Sequence, residues 1–281
     1  MSALTFGIIA AICWGIHDVC VRYLSQRMNI FIALFLVVLI GTILLAPIMV
    51  MLGTGTLPNT QALSLSAASG IAFAGAGIAL YKAFSMGPVW LVAPIIGAYP
   101  ILSMIWATMG GAEPTTLHWV AVIAVIAGIA IVATQAKDET TLQAPKSKII
   151  LWSIAAAIGW ATTFAFGQAA TQHGDPFDLL LTTRLVTTLC LLPLVLIIRA
   201  GSQIGWSTFA LLSILGLLDA TALAMILQSG TMANPEFASV AASTFGIITI
   251  LLAWAFLGEK MRIIQWIGVI VAFMGIGYLA I

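Results

Sequence analysis

Few side chains in this 281-residue chain can do acid–base or ionic chemistry, because only 7% of its residues are charged. The informative ones lie inside long apolar runs. His17 and Asp18 stand in the inner part of the first run, Arg184 about seven residues into the seventh, and Asp219 near the centre of the eighth. An ionised group at the centre of an apolar helix costs at least ~2.5 kcal/mol on insertion scales, so such groups face a bundle interior and take a partner. Asp18 precedes Arg22 by four residues, the spacing of a helical ion pair, which predicts a structural Asp18–Arg22 contact. His17 titrates near neutrality when unperturbed and could carry a proton; a packing histidine with satisfied nitrogens is the plainer reading. Arg184 and Asp219 sit on successive runs and can meet as a buried pair. Two roles are open for them. One is a structural salt bridge. In the other, Arg184 holds a carboxylate, and Asp219 exchanges protons or holds an amine.

Aromatic and hydroxyl side chains extend the set. Trp14 and Trp160 are in the middle of their runs, where an indole N–H in hydrocarbon would lack a partner, so both are expected to face protein or a water-filled cavity. The other tryptophans, at 90, 106, 119, 152, 206, 254 and 266, lie near run ends and read as interfacial anchors. Tyr81, Tyr99 and Gln228 put polar tips on apolar faces. Pro100, with Pro94 upstream, removes a backbone hydrogen bond and predicts a kink that opens space beside Tyr99. Thr162, Thr163, Ser243 and Thr244 could offer hydroxyls there, although such groups more often bond their own backbone. The candidate ligand-binding set is Trp14, His17, Tyr81, Tyr99, Trp160, Thr163, Arg184, Asp219 and Gln228. No catalytic residue, metal ligand set or cofactor motif is expected. Cys13, Cys20 and Cys190 lie in apolar segments without metal-ligand spacing or a disulfide pattern.

The elements that must position these residues are membrane helices. The chain is 62% hydrophobic, and a soluble protein carries roughly 25% charged residues, so this surface must face lipid. A bilayer core of ~30 Å needs about 20 apolar residues. Ten segments read as spans, at about 3–24, 30–52, 64–86, 89–109, 116–135, 149–171, 177–199, 206–231, 235–257 and 263–281. The first lacks a basic leader region and a cleavage site and reads as a retained span. GTGTLPNT, GGAEPTT and GEKMR mark hairpins.

Residues 136–148 are the one clear linker, at mid-chain. Sliding the chain by 146 residues places Trp14 on Trp160, Phe31 on Phe177, Pro47 on Pro193, Gly70 on Gly216, Met86 on Met232 and Glu113 on Glu259. Rare Trp, Pro and Glu seldom align at one offset by chance, so the chain is an internal repeat, 1–135 and 149–281. Each half has five spans, an odd number, so the second half enters the membrane in the opposite sense. The expected fold is an all-α membrane protein of ten helices in two inverted five-helix repeats around a central cavity. Inverted repeats rock around a midplane site and expose it to each side in turn, which points to a carrier. His17 aligns with Thr163 and Asp18 with Phe164, so neither belongs to the symmetric core. Matched Glu113 and Glu259 read as structural, each offsetting orphan N–H groups of a helix start. SGIAFAGAGIA in the third span and Gly268-xxx-Ala272 in the tenth permit close helix contact, within the fold or, for spans five and ten, between copies.

Charge gives an orientation. Arg22, Arg27, Lys82, Lys137, Lys146, Lys148, Arg199, Lys260 and Arg262 all fall on one side, whereas Glu113, Asp175, Asp178 and Glu236 mark the other. The basic side is expected to be cytoplasmic, with both termini outside. A net charge of +1 gives no general attraction to nucleic acid.

Several motifs resemble the drug/metabolite transporter superfamily in its ten-span EamA-like form. LLAWAFLGEKMRIIQWIGVIVAFMGIGYLA, with Gly258-Glu259, Gln265 and Gly268, resembles the family's pattern for spans nine and ten. ALYKAFSMGPVWLVAPIIGAYPILSMIWATMGGAEP repeats it in the first half, with Pro100 at the usual proline position, and Trp14-Gly15 resembles the family's Trp-Gly. Gly246 departs, standing where a second proline is common, and the neutral N-terminus departs from relatives with basic residues there. The resemblance covers nearly the whole chain and implies a carrier in a bacterial-type inner membrane, exporting amino acids or similar small polar metabolites. Length and compact loops resemble the YddG-type amino-acid exporters. Drugs, purines or nucleotide sugars are the alternative cargo. Nucleotide sugars need basic groups for phosphate, and only Arg184 lies well within a span. An intramembrane enzyme is a different class, but HExxH and Gly-x-Ser-x-Gly motifs are lacking. No ATP-binding loop is found, so facilitated diffusion or proton exchange would drive transport. Partners are the solute and lipid, with a monomer or weak homodimer expected.

Overall fold

The computed structural model describes residues 2–55, 58–109, 115–134, 142–198, 204–232 and 235–278. They are all-helical: α1 (Ala3–Ser25), α2 (Ile30–Leu52), α3 (Thr60–Met86), α4 (Val89–Gly97), α5 (Pro100–Met109), α6 (Thr116–Thr134), α7 (Lys146–Thr171), α8 (Pro176–Ile198), α9 (Trp206–Ser229), α10 (Glu236–Ala242), α11 (Phe245–Leu252) and α12 (Ile263–Tyr278). Starts follow capping chemistry. Asn29 accepts from the N–H groups of Phe31 and Ile32, and Asn59 from that of Ala62. Seven helices are long and apolar enough to cross a membrane, and three apolar ones are shorter, Val89–Leu102, Thr116–Val132 and Ile263–Tyr278. These counts are of the described residues, and each of the three shorter helices ends where the described side chains break off. Helix α7 also begins at Lys146, inside the predicted linker. Large apolar side chains such as Met51, Ile197, Trp206, Phe256 and Ile263 stand exposed, as lipid-facing residues would. Trp90 is instead buried and is no interfacial anchor.

Packing follows the repeat. α3 lies against α7, and α1 against α9; α2 lies against α9, and α3 against α8; α1 meets α10 and α11, and α7 meets α4 and α5. Exchanging the halves turns each contact into its partner. The pairs α2–α8 and α6–α12 map onto themselves, and α4 also packs against α11. Small residues allow the close approaches. A Cβ on Gly41 would lie 2.2 Å from the Gly216 carbonyl oxygen, and one on Gly128 would lie 2.4 Å from that of Gly268.

Two spans are broken within one residue of matched positions. α4 gives way to α5 at residues 98–99, and α10 to α11 at 243–244. Pro100 opens α5, where its missing N–H costs nothing. Gly246, its counterpart, cannot act this way. At the second break the Ser243 and Thr244 hydroxyls donate to the carbonyls of Val240 (2.6 Å) and Ala241 (2.7 Å). α11 ends in a π-helical turn at Ala253–Leu257, and Gly258 reverses the chain at φ 68°.

The two ends of the bundle are tied differently. At the basic end Arg22 donates to Glu259 (3.1 Å) and to the Phe84 carbonyl (2.7 Å), while the Val89 N–H donates to the other Glu259 oxygen (2.7 Å). The predicted Asp18–Arg22 pair does not form, because Arg22 reaches out of the apolar layer to these partners. At the far end Gln168, which aligns with Arg22, donates to Ser229 (3.1 Å) and to the Pro235 carbonyl (3.0 Å). Glu259 therefore caps the start of α4, as expected of a carboxylate beside a helix N-terminus. Glu113 and the Glu236 side chain lie outside the described residues.

Candidate functional site

Helices α1, α2, α3, α7, α8 and α9 converge on a buried polar cluster in an apolar bundle. Arg184 is 1% exposed, and each of its three nitrogens donates: Nε to Thr42 Oγ1 (3.1 Å), Nη1 to Asp219 Oδ2 (2.9 Å) and Nη2 to the Val38 carbonyl (3.1 Å). Val38 and Arg184 are 146 residues apart, so Arg184 bonds its own counterpart in the other half. The guanidinium also lies over Phe73, 6.0 Å from the ring centre, and Phe73 is the counterpart of Asp219. The other Asp219 oxygen accepts from Trp14 Nε1 (3.3 Å). This pair is fully partnered and buried.

One turn away the arrangement changes. Asp18 Oδ1 accepts from His17 Nδ1 at 2.9 Å. His17 Nε2, Asp18 Oδ2 and Tyr81 OH are buried with no hydrogen-bond partner. The exposures of His17, Asp18 and Tyr81 are 4%, 1% and 2%, so solvent does not satisfy them. The His17 and Tyr81 ring centres are 6.2 Å apart. A buried polar atom without a partner costs about 1–3 kcal/mol, so three such atoms on neighbouring side chains of α1 and α3 call for a ligand or water.

Two cavities adjoin these atoms. The first is lined by Trp14, Asp18, Leu80, Tyr99, Trp160, Phe164 and Phe245. The second is lined by His17, Tyr81, Asp219, Trp160, Phe73 and aliphatic neighbours. In this conformation each admits little more than a water. Trp14 and Trp160 stand 5.5 Å apart between ring centres, with Phe164 5.4 Å from Trp14 and Tyr99 5.3 Å from Phe164. Tyr99 OH donates to the Ser239 carbonyl and so bridges the two broken spans.

Of the predicted residues, Trp14, His17, Tyr81, Tyr99, Trp160 and Asp219 line the cavities, and Arg184 stands behind Asp219. Thr163 is not turned to them. Its hydroxyl donates to the Gly159 carbonyl (2.8 Å), and its own carbonyl accepts from Ser69 (2.9 Å). Gln228 is half-buried and lines neither cavity. Phe73, Leu80, Phe164, Phe245 and Asp18 also line the cavities, outside the set expected from sequence. Two signals were present: Phe164 follows Trp160 by one helical turn, and Phe73 is the repeat counterpart of Asp219.

Comparison with known proteins agrees with the fold. None of the curated proteins matches the chain. A solved crystal structure, 16% identical, aligns with a TM-score of 0.70 over 98% of this chain and 95% of that one. The model of the EamA-like transporter family matches twice, over residues 1–134 and 147–281. With both halves matched, the chain belongs to the EamA-like transporter family and is a multi-pass membrane transporter of small molecules.

Proposed function

We propose that this protein carries amino acids or similarly small polar metabolites out of the cell by alternating access, its two five-helix halves inverted in the membrane around the central cluster. The observation that carries this reading is the pair of broken spans. Both breaks fall within one residue of matched positions, α4 packs against α11, and Tyr99 and Phe245 at the breaks line the first cavity. Discontinuous helices at a repeat interface provide a binding site and the hinges that open it in turn to each side. The basic end, with Arg22, Arg27, Lys146, Lys148, Lys260 and Arg262, is the cytoplasmic one, which sets Ala3 and Tyr278 outside.

Purified protein in proteoliposomes, given a panel of labelled amino acids and related metabolites with and without a pH gradient, tests it. Solute-dependent flux is expected, and a pH-gradient dependence would identify proton exchange. No flux across the panel would sink the amino-acid cargo. Nucleotide sugars are disfavoured by the site itself, since its one buried guanidinium is already bound on all three nitrogens.

A further inference from the structure

The unpartnered atoms of the central cluster specify the charge of the ligand. In the neutral tautomer whose Nδ1–H donates to Asp18, His17 Nε2 is the acceptor of the ring. Asp18 Oδ2 is a second acceptor, and the Tyr81 oxygen is a third. Three buried acceptors, one of them a carboxylate oxygen, suit the three N–H donors of a primary ammonium group. Asp18 lines the first cavity, His17 and Tyr81 line the second, and the cavities share Leu80 and Trp160. Beyond them Trp14, Trp160, Phe164 and Tyr99 form an aromatic wall suited to an apolar body and to cation–π contact.

Nothing comparable awaits a carboxylate. Arg184 is bound to Asp219, Thr42 and Val38, and Arg22 to Glu259 and Phe84. Lys82 is half-buried beside Tyr81 but lines neither cavity. A zwitterion would bring one charge that the site matches and one that it must bury unpaired.

We infer that His17, Asp18 and Tyr81 bind the ammonium group of a primary amine whose apolar or aromatic body lies on the Trp14–Trp160–Phe164 wall, so that the carrier prefers such amines to the corresponding α-amino acids. This rests on the carrier reading and shifts its cargo from amino acids to amines. Both cavities are water-sized here, so the amine enters when the halves part at the broken spans.

The test uses a matched set in proteoliposomes and, independently, in thermal-shift binding of the purified full chain: 2-phenylethylamine, phenylalanine, and the N,N,N-trimethyl derivative of the amine. The primary amine should move and bind at least about tenfold better than either of the others, since each loses charge-assisted hydrogen bonds or adds an unpaired charge. Asp18→Asn should lower amine flux and affinity by at least about tenfold, the worth of a hydrogen bond to a charged group. Tyr81→Phe serves as the second variant should Asp18→Asn fail to fold, with a loss of several-fold. Phenylalanine matching or exceeding the amine would overturn the inference and leave the carrier intact. Amine binding without flux of any solute would uphold the site and remove the carrier. Neither binding nor flux of the amine, or wild-type behaviour in both variants, would overturn the inference.

Discussion

The Arg184–Asp219 pair and the His17–Asp18–Tyr81 group are both buried, both ionisable, and both border one cavity, yet they differ in how completely they are partnered. Every nitrogen of Arg184 and both oxygens of Asp219 have partners, drawn from α1, α2, α8 and α9. In the second group three polar atoms have none. The first satisfies itself and holds four helices in register. The second is incomplete without something from outside. A buried charge is therefore a poor guide to function alone, and completeness of its hydrogen bonding separates architecture from recognition.

The strongest way to break this comparison is to remove one member of the satisfied pair. Asp219→Ala would leave the Arg184 guanidinium buried without a counter-charge, which costs about 3–5 kcal/mol. A large fall in melting temperature in detergent is expected. Replacing both partners by leucine should restore most of it, because an apolar pair of similar volume avoids desolvation. A single variant as stable as wild type would mean that the pair does not hold the bundle. Next comes Trp14→Phe. It keeps the ring stack but takes the donor from Asp219 Oδ1, leaving a buried acceptor open at a cost of about 1–3 kcal/mol. If its melting temperature is unchanged, the 3.3 Å contact contributes nothing.

Glu259 is an intermediate case, partnered at both oxygens yet only partly buried, outside the spans. Burial raises its pKa above the ordinary 4.5, and this outweighs the lowering by Arg22 and by the Val89 N–H. A raised folded pKa means stability that is complete below about 4.5 and is lost as pH rises through the folded value. Wild type should therefore lose stability relative to Glu259→Gln as pH rises from 4.5, by under about 1 kcal/mol for so peripheral a group. Melting temperatures of both proteins between acid and neutral pH decide it. If wild type instead gains on the variant with rising pH, the ion pair and the helix cap prevail over burial.

Much of this was legible in the sequence because periodicity and the 146-residue offset are global signals. They located the helices, the Trp14–Trp160 pair and the candidate ion pair of Arg184 with Asp219. What stayed hidden depends on tertiary backbone. Arg184 bonds the Val38 carbonyl and Thr42, and no residue type announces a carbonyl as a partner. The four-residue spacing of Asp18 and Arg22 misled because a long arginine reaches the helix end, where Glu259 and the Phe84 carbonyl offer more than a neighbouring turn. The second span break escaped for a similar reason. Gly246 stands where a proline would mark it, and hydroxyls bonded one turn back, like those of Ser243 and Thr244, occur in unbroken helices too.

The finest test of the comparison is Tyr81→Phe. Its hydroxyl has no partner in the bundle, so removing it deletes no hydrogen bond and frees the fold from one unsatisfied polar atom. Melting temperature should stay within the change expected for ±0.5 kcal/mol or rise slightly. A structural hydroxyl would behave oppositely, as Tyr99→Phe should, because Tyr99 OH bridges to the Ser239 carbonyl between the broken spans. Two tyrosines, both buried and both within 2% of full burial, should thus separate: one carries stability, the other affinity for what fills the cavity. If Tyr81→Phe melts as low as Tyr99→Phe, the Tyr81 oxygen is satisfied within the protein, and partnering ceases to distinguish the two regions.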